Sequence, residues 1–183
     1  MKTDARVRYT KKVLKEALLS ILEQKPINRI TVKEVCDKAE LNRATFYSHY
    51  ADCFDLLDSI ENDLFREFEA SMEDYSRSYD VTKLFAAIYD MIENNEDVCR
   101  VLIFDGRGTT LTRRMIDSAR DFSIDYWRTV MKGASENEIE MVYLCLSNGL
   151  LSVIVNGYGR FGKDEMIRFV KAMVDSALSA YIR

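Results

Sequence analysis

The sequence predicts an all-α protein of about nine helices, with an N-terminal three-helix helix-turn-helix domain followed by a larger C-terminal helical domain. Three observations carry this prediction. Apolar residues recur at helical spacing along most of the chain, and no segment shows the clear alternation of a strand. Helix-start signatures repeat, with Thr31-x-x-Glu34 and Ser135-x-x-Glu138 both of capping-box type. Breakers are scarce where helices are expected: the first 105 residues hold no glycine, and Pro26 is the only proline.

The length of 183 residues suits one or two small domains, and the boundary is placed at 1–53 and 54–183. No segment reads as a signal peptide. The longest apolar run, Met141 to Val155, is interrupted by Ser147, Asn148, Gly149 and Ser152, so a membrane span is not expected and the cytoplasm is the expected location. The charge is unevenly placed. Residues 1–50 hold 11 Lys+Arg against 6 Asp+Glu, a net of +5; the other 133 residues hold 15 against 24, a net of −9, giving the overall −4. A locally basic end on an acidic chain points to phosphate contact at that end.

Residues 1–9, with Lys2, Arg6 and Arg8, read either as a frayed terminus or as a basic arm for a DNA backbone. The stripe Leu14, Leu18, Ile21, Leu22 predicts a first helix from Thr10, ended by Lys25 ahead of Pro26. Thr31 and Glu34 cap the second helix, Ile30 and Val35 stand at staple positions, and Val32, Val35, Cys36 and Ala39 form its apolar stripe. Asn42 caps a third helix with room for two turns from Arg43 to Tyr50, and Leu41 and Phe46 repeat the staple. Two short helices across a tight turn form a helix-turn-helix, whose second helix enters the major groove.

Asp52 is placed as the cap of a fourth helix striped by Leu57, Ile60, Leu64 and Phe68, with a polar break at Asp74 to Asp80. Val81 to Met91 mark a fifth helix, Asn94-Asn95 a turn, and Val98 to Phe104 a short apolar helix closed by Asp105-Gly106-Arg107-Gly108. That glycine loop lacks the Lys-Ser/Thr of a phosphate-binding loop and reads as a helix end. Thr109 to Met131 is a longer helix. Ile139 to Asn156 is apolar nearly all round, and Lys163 to Ile182 carries Met166, Val170, Met173, Val174, Ala177, Leu178 and Tyr181 on one face. This pair offers more apolar surface than one small core covers, which predicts a homodimer through Ile139 to Ile182.

Cys36, Cys53, Cys99 and Cys145 form no CxxC pair, and only His49 lies near one of them, so no metal site and no cofactor are expected. They read as small buried thiols, with Cys53, near a helix start, as the candidate for a redox-active thiolate. Paired carboxylates in a cleft, a nucleophile elbow and a catalytic histidine arrangement are all missing, so the chain is not expected to be an enzyme. Tyr89, Phe104, Phe122, Tyr126, Trp127 and Tyr143 read either as ordinary core or as the lining of a small-molecule pocket.

The ordered series Thr31-Val32, Val35, Ala39, Leu41-Asn42, Thr45-Phe46-Tyr47, His49-Tyr50 and Leu56-Leu57 resembles the signature of the tetracycline-repressor (TetR/AcrR) family of bacterial transcriptional regulators. The likeness is strongest over about residues 10–57. The C-terminal half is similar in plan only, as a helical ligand-binding and dimerisation domain. Its run SNGLLSVIVNGYGRFGKDEM resembles the hairpin of a branch that includes regulators linked to dihydroxyacetone kinase. The resemblance implies a ligand-responsive repressor that binds a palindromic double-stranded DNA operator as a homodimer and answers to an unidentified small-molecule effector. It implies DNA contacts from Thr31, Lys33, Arg43, Ala44, Thr45, Tyr47, His49 and Tyr50. Arg43 is the best base reader by chemistry, Ala44 suits a thymine methyl, and Tyr47 and His49 suit phosphates. His49 also reads as a capping or core residue, and Phe46 is expected to face inward. Two positions depart from the family. Glu40 replaces the usual turn glycine, so that position either needs no positive φ or tolerates it at some cost. Cys53 stands where the family has a phosphate-contacting lysine. These departures motivate an alternative: a helical protein-interaction or co-activator module that reads DNA poorly.

Overall fold

The computed structural model describes residues 2–106 and 110–181, with side chains from Ala5 onward. Its described residues form nine α-helices and no strand: α1 (Lys2–Leu22), α2 (Val32–Ala39), α3 (Arg43–Tyr47), α4 (Cys53–Ser78), α5 (Val81–Asn94), α6 (Glu96–Cys99), α7 (Leu111–Val130), α8 (Glu136–Gly157) and α9 (Lys163–Ser179). A 3-10 turn at Ile27–Arg29 follows Pro26, and a single π turn at Arg100–Phe104 continues α6. The all-α prediction holds. Ile182, the expected end of the last helix, and the residues Arg107 to Thr109 of the expected loop and helix start lie outside the described residues.

The chain makes two compact units, Met1–Leu64 with Glu96–Thr109, and Phe65–Asn95 with Thr110–Arg183. In the first, Leu14, Leu18 and Leu22 of α1, Val35 and Cys36 of α2, Phe46 of α3, Leu56, Leu57 and Ile60 of α4, and Val98, Val101 and Leu102 are all buried. Arg100 reaches Glu23 at 2.8 Å across this unit. In the second, α5 packs along α9 and α7 along α8. Its core holds Phe85, Met91, Ile92, Leu111, Trp127, Met131, Ile139, Tyr143, Met166 and Val170. Lys163 pairs with Asp90 to tie the start of α9 to α5. At Gly157, an added Cβ would lie 3.2 Å from both Met166 and Phe161, so the close approach of α8 to the start of α9 favours glycine there.

Three boundaries differ from the sequence reading. Helix α1 starts at Lys2 rather than Thr10, so residues 2–9 are helical turns and neither a frayed end nor an extended arm. They are too polar to carry an apolar stripe, which is the signal that places a helix from sequence. Helix α4 does not break at Asp74: it continues to Ser78, where Glu73 and Asp74 pair with Arg77 and support the polar last turns. The break falls at Tyr79, in the left-handed region at φ 50°, and Asp80, which caps α5 by accepting from the Thr82 N–H at 2.9 Å. Helix α3 spans only Arg43–Tyr47, and turns carry the chain on to Tyr50.

The apolar character of α8 runs further than its interrupted sequence suggests. Helix α8 is long and apolar enough, by length and composition alone, to cross a membrane, because its interrupting residues are small and uncharged and its carboxylates gather in the first turns. Within one chain it buries Ile139, Tyr143, Leu146 and Ile154 but leaves Met141 and Leu144 exposed, beside exposed Phe161, Phe169 and Met173.

Glu40 closes α2 in the left-handed region at φ 54°, ψ 38°. Its N–H and that of Leu41 both donate to the Cys36 carbonyl, the hydrogen-bond pattern usually completed by glycine. A glutamate therefore takes the glycine conformation at a steric cost. Glu40→Gly is expected to stabilise the chain by about 1 kcal/mol, raising the melting temperature by roughly 2–4 °C. Thermal unfolding followed by circular dichroism checks this; an unchanged or lower midpoint would show that Glu40 carries no strain.

Candidate nucleic-acid interface

The helix-turn-helix is built by side-chain caps. Thr31 accepts from the Glu34 N–H at 3.3 Å, while the Glu34 carboxylate accepts from the Thr31 N–H at 2.9 Å. The Lys25 ammonium reaches the other Glu34 oxygen at 2.5 Å, tying the end of the first helical segment to the start of α2. Helix α3 begins where Asn42 Oδ1 accepts from the Thr45 N–H at 2.7 Å and from its hydroxyl at 3.0 Å. At α4, Asp52 Oδ1 accepts from the N–H groups of Phe54 and Asp55, and Asp55 accepts from that of Ala51.

Spacing then sorts the side chains of α3. Phe46 is 0% exposed and Tyr50 7%, and their ring centroids lie 5.9 Å apart. Arg43 at the start of the helix, Ala44 and Tyr47 are exposed, Tyr47 at 58%, with its ring edge-on to Phe46. Thr45 and His49 are half-buried at the flanks. Thr31 and Lys33 are exposed on α2, the threonine hydroxyl already serving the cap. Tyr50, expected with the outward residues, is not among them. Burial pushes its phenol above the ordinary value, and a hydrogen bond with Ser59 opposes the shift. Ser48, which the sequence reading passed over, is exposed one turn after Ala44 and donates to the Thr45 carbonyl at 2.7 Å. The i, i+4 spacing from Ala44 was the signal that would have found it.

The electrostatics of the two units differ. Among the described residues of the first unit, Arg6, Arg8, Lys11, Lys15, Arg29, Lys33, Lys38 and Arg43 form no carboxylate ion pair; Lys12, Lys25 and Arg100 do. In the second unit Arg77, Arg113, Arg120, Arg128, Lys163 and Lys171 do, while Lys83, Lys132, Arg160 and Arg168 form none among the described residues. The basic unit thus keeps most of its cations available to an outside anion.

Cys53 does not support a thiolate. It is 4% exposed, and burial together with the Asp52 carboxylate pushes its thiol up to about 11. Burial outweighs the helix start. Cys36 and Cys99 are also buried, and Cys145 is exposed. No group of three or more metal-ligating side chains occurs among the described residues. The six aromatics considered for a pocket differ in their surroundings. Phe104 belongs to the first unit and Phe122 is exposed. Tyr126 stacks on Tyr79 at 4.1 Å, and Tyr89 packs near Tyr158. Trp127 and Tyr143 pair at 5.9 Å, and Trp127 Nε1 is buried with no hydrogen-bond partner among the described residues.

The cap of α2 titrates. Hydrogen bonds from Lys25 and then Thr31 hold the Glu34 carboxyl at about 2, below its ordinary 4.5. A depressed carboxyl stabilises the fold fully above its unfolded value and loses that contribution as pH falls towards its folded one. Melting temperature is therefore expected to drop between about pH 4.5 and 2. Glu34→Gln should flatten that part of the curve, and a wild-type slope in the variant would assign the acid loss elsewhere.

Comparisons with known proteins place this geometry. No family model matches the chain. A 51-residue stretch is 37% identical to an uncharacterised HTH-type transcriptional regulator of Bacillus subtilis (strain 168), YxbF, covering 28% of this chain; the match spans only 13% of that relative's length. Among solved structures, a TetR-family transcriptional regulator of Syntrophomonas wolfei aligns with a TM-score of 0.61 at 14% identity, over 94% of this chain and 96% of that one. The dihydroxyacetone kinase operon activator DhaS aligns with a TM-score of 0.61 at 15% identity, over 95% and 98%. The chain has the fold of the TetR-family regulators.

Proposed function

We propose that the chain is a transcriptional regulator of the TetR type that binds a palindromic DNA operator as a homodimer. One observation carries this reading: α3 leaves Arg43, Ala44 and Tyr47 exposed, beside cations left without carboxylate partners. Arg43 grips guanine O6 and N7 in the major groove, Ala44 packs on a thymine methyl, and Tyr47, Thr31, Lys33, Thr45 and His49 hold phosphates. Tyr50 acts from beneath, as support for the reading face. Work on DNA sets such a regulator in the cytoplasm.

The second copy pairs through α8 and α9, whose exposed Met141, Leu144, Phe169 and Met173 are covered better by a twin than by lipid, since α9 also carries Asp164, Glu165, Arg168, Lys171 and Asp175. A small-molecule effector in the second unit would shift the spacing of the two reading faces by binding one conformer more tightly. The buried donor of Trp127 supports an effector with a hydrogen-bond acceptor. Release of DNA by that effector would make the chain a repressor; the DhaS neighbour, described as an operon activator, makes activation the competing sign.

Selection of duplexes from a random pool by the full-length chain is expected to enrich an inverted repeat. Arg43→Ala should then weaken binding to it about 5- to 150-fold and relax one base position in each half-site. Enrichment of no sequence would overturn the reading in favour of a protein-interaction module. Leu144→Asp with Phe169→Asp is expected to convert a dimer to a folded monomer in analytical ultracentrifugation; a monomeric wild type, or a dimer that survives both changes, would remove the α8–α9 pairing.

A further inference from the structure

The helical start of α1 leaves a basic stripe that the reading face does not use. Arg8, Lys11 and Lys15 stand at i, i+3 and i+7, so they share one side of the helix. Arg8 and Lys11 are exposed, Lys15 is half-buried, and none pairs with a carboxylate among the described residues. Lys12, at the edge of the stripe, pairs only loosely with Glu16 at 3.7 Å, both well exposed. A stripe of unpaired cations on a helix is ordinarily just solvated. Here two further facts give it a direction.

The stripe adjoins the recognition segment: Lys11 Nζ lies 6.0 Å from the centroid of the Tyr50 ring, the residue that closes that segment. The chain that leaves the segment offers no cation, since residues 51–65 hold no Lys or Arg. The start of α4 presents Asp52 and Asp55, held there as caps, and Cys53 is buried and neutral. A DNA backbone passing the end of α3 therefore meets carboxylates along α4 and ammonium and guanidinium groups along α1.

We propose that Arg8, Lys11 and Lys15 form a second phosphate-binding strip, which carries the contact from the recognition segment onto the sugar-phosphate backbone outside the bases it reads. This rests on the DNA-binding reading above and specifies its backbone partner. Because the strip is helical, its charges are held in a fixed row, and they neutralise successive phosphates without ordering a flexible arm. It reads no sequence, so it raises affinity for every duplex alike and makes the binding steeply salt-dependent.

The test measures binding of the full-length chain against salt concentration on two probes: the inverted repeat enriched from the random pool, with 6 added base pairs on each side, and a mixed-sequence duplex of equal length. Replacing Arg8, Lys11 and Lys15 with glutamine is expected to lower the slope of log K against log salt by about 0.9 for each lost contact, on both probes. It should leave the enriched base positions unchanged. Lys83→Gln, at an exposed position of α5, is the control for a change of charge alone. A slope equal to that of the control overturns the proposal. If the triple variant melts early, Lys11→Gln alone should still lose about one unit of slope, and no loss there overturns it equally. If the wild type enriches no repeat, the operator reading fails by itself, while the mixed-sequence probe still decides the strip.

Discussion

Everything that α3 can do depends on the burial of Phe46. A helix of five residues has no stability of its own, because nucleation costs more than so few hydrogen bonds return. It exists because Phe46 is sealed in the core of the first unit, Tyr50 is buried one turn later and Asn42 closes its start. Removing a buried phenylalanine of this kind costs on the order of 3–5 kcal/mol. That anchor also sets the phase of the helix. With Phe46 and Tyr50 inward, Ala44 and Tyr47 are turned outward, and Arg43 is exposed at the first position of the helix.

The same unit treats its charges differently from the rest of the chain. An ion pair at a surface contributes little to stability, so pairing in the second unit and its scarcity in the first are not differences in how strongly each is held. They differ in what the charges remain free to meet. A polyanion gains counterion release only from cations not already neutralised. Glu34 shows one exception: its carboxylate takes Lys25 out of that pool and uses it to fix α2 in place.

The caps were the most legible part of the sequence. Thr31, Asn42, Asp52 and Ser135 each start a helix as their residue types and spacing require. The apolar stripes of α1, α2 and α4 reach the core as their periodicity predicts. What could not be read depended on polar segments or on competing terms. The first turns of α1 carry no stripe, so nothing marked them as helical; in α4 the stripe runs on through buried Met72 and Tyr75, among polar residues that read as a break. The cysteine at the start of α4 offered two opposed effects, and only its burial decides between them. The resemblance implied a DNA contact from Tyr50, because a tyrosine's ring and hydroxyl do not announce which will face water. Glu40 left open whether its position needed a left-handed backbone, and the structure shows glutamate adopting one. The aromatics left two readings open for another reason: helical spacing orders residues along one element, and it does not tell which elements meet.

The size of α3 sets how much discrimination one copy can supply. A good bidentate contact to a base is worth about 1–3 kcal/mol against the wrong base. Specific binding typically exceeds non-specific binding by about 4–10 kcal/mol. With Arg43 as its one exposed bidentate side chain, a single reading face falls short of that range on most estimates. Two faces on an inverted repeat double the base-reading term. Phosphate contacts add affinity without adding discrimination, so they do not replace the second copy; they bring the weak readers within reach of the DNA. The exposed apolar face of α8 and α9 and the free cations of the first unit thus answer separate needs of one proposed function, specificity by pairing and affinity by charge.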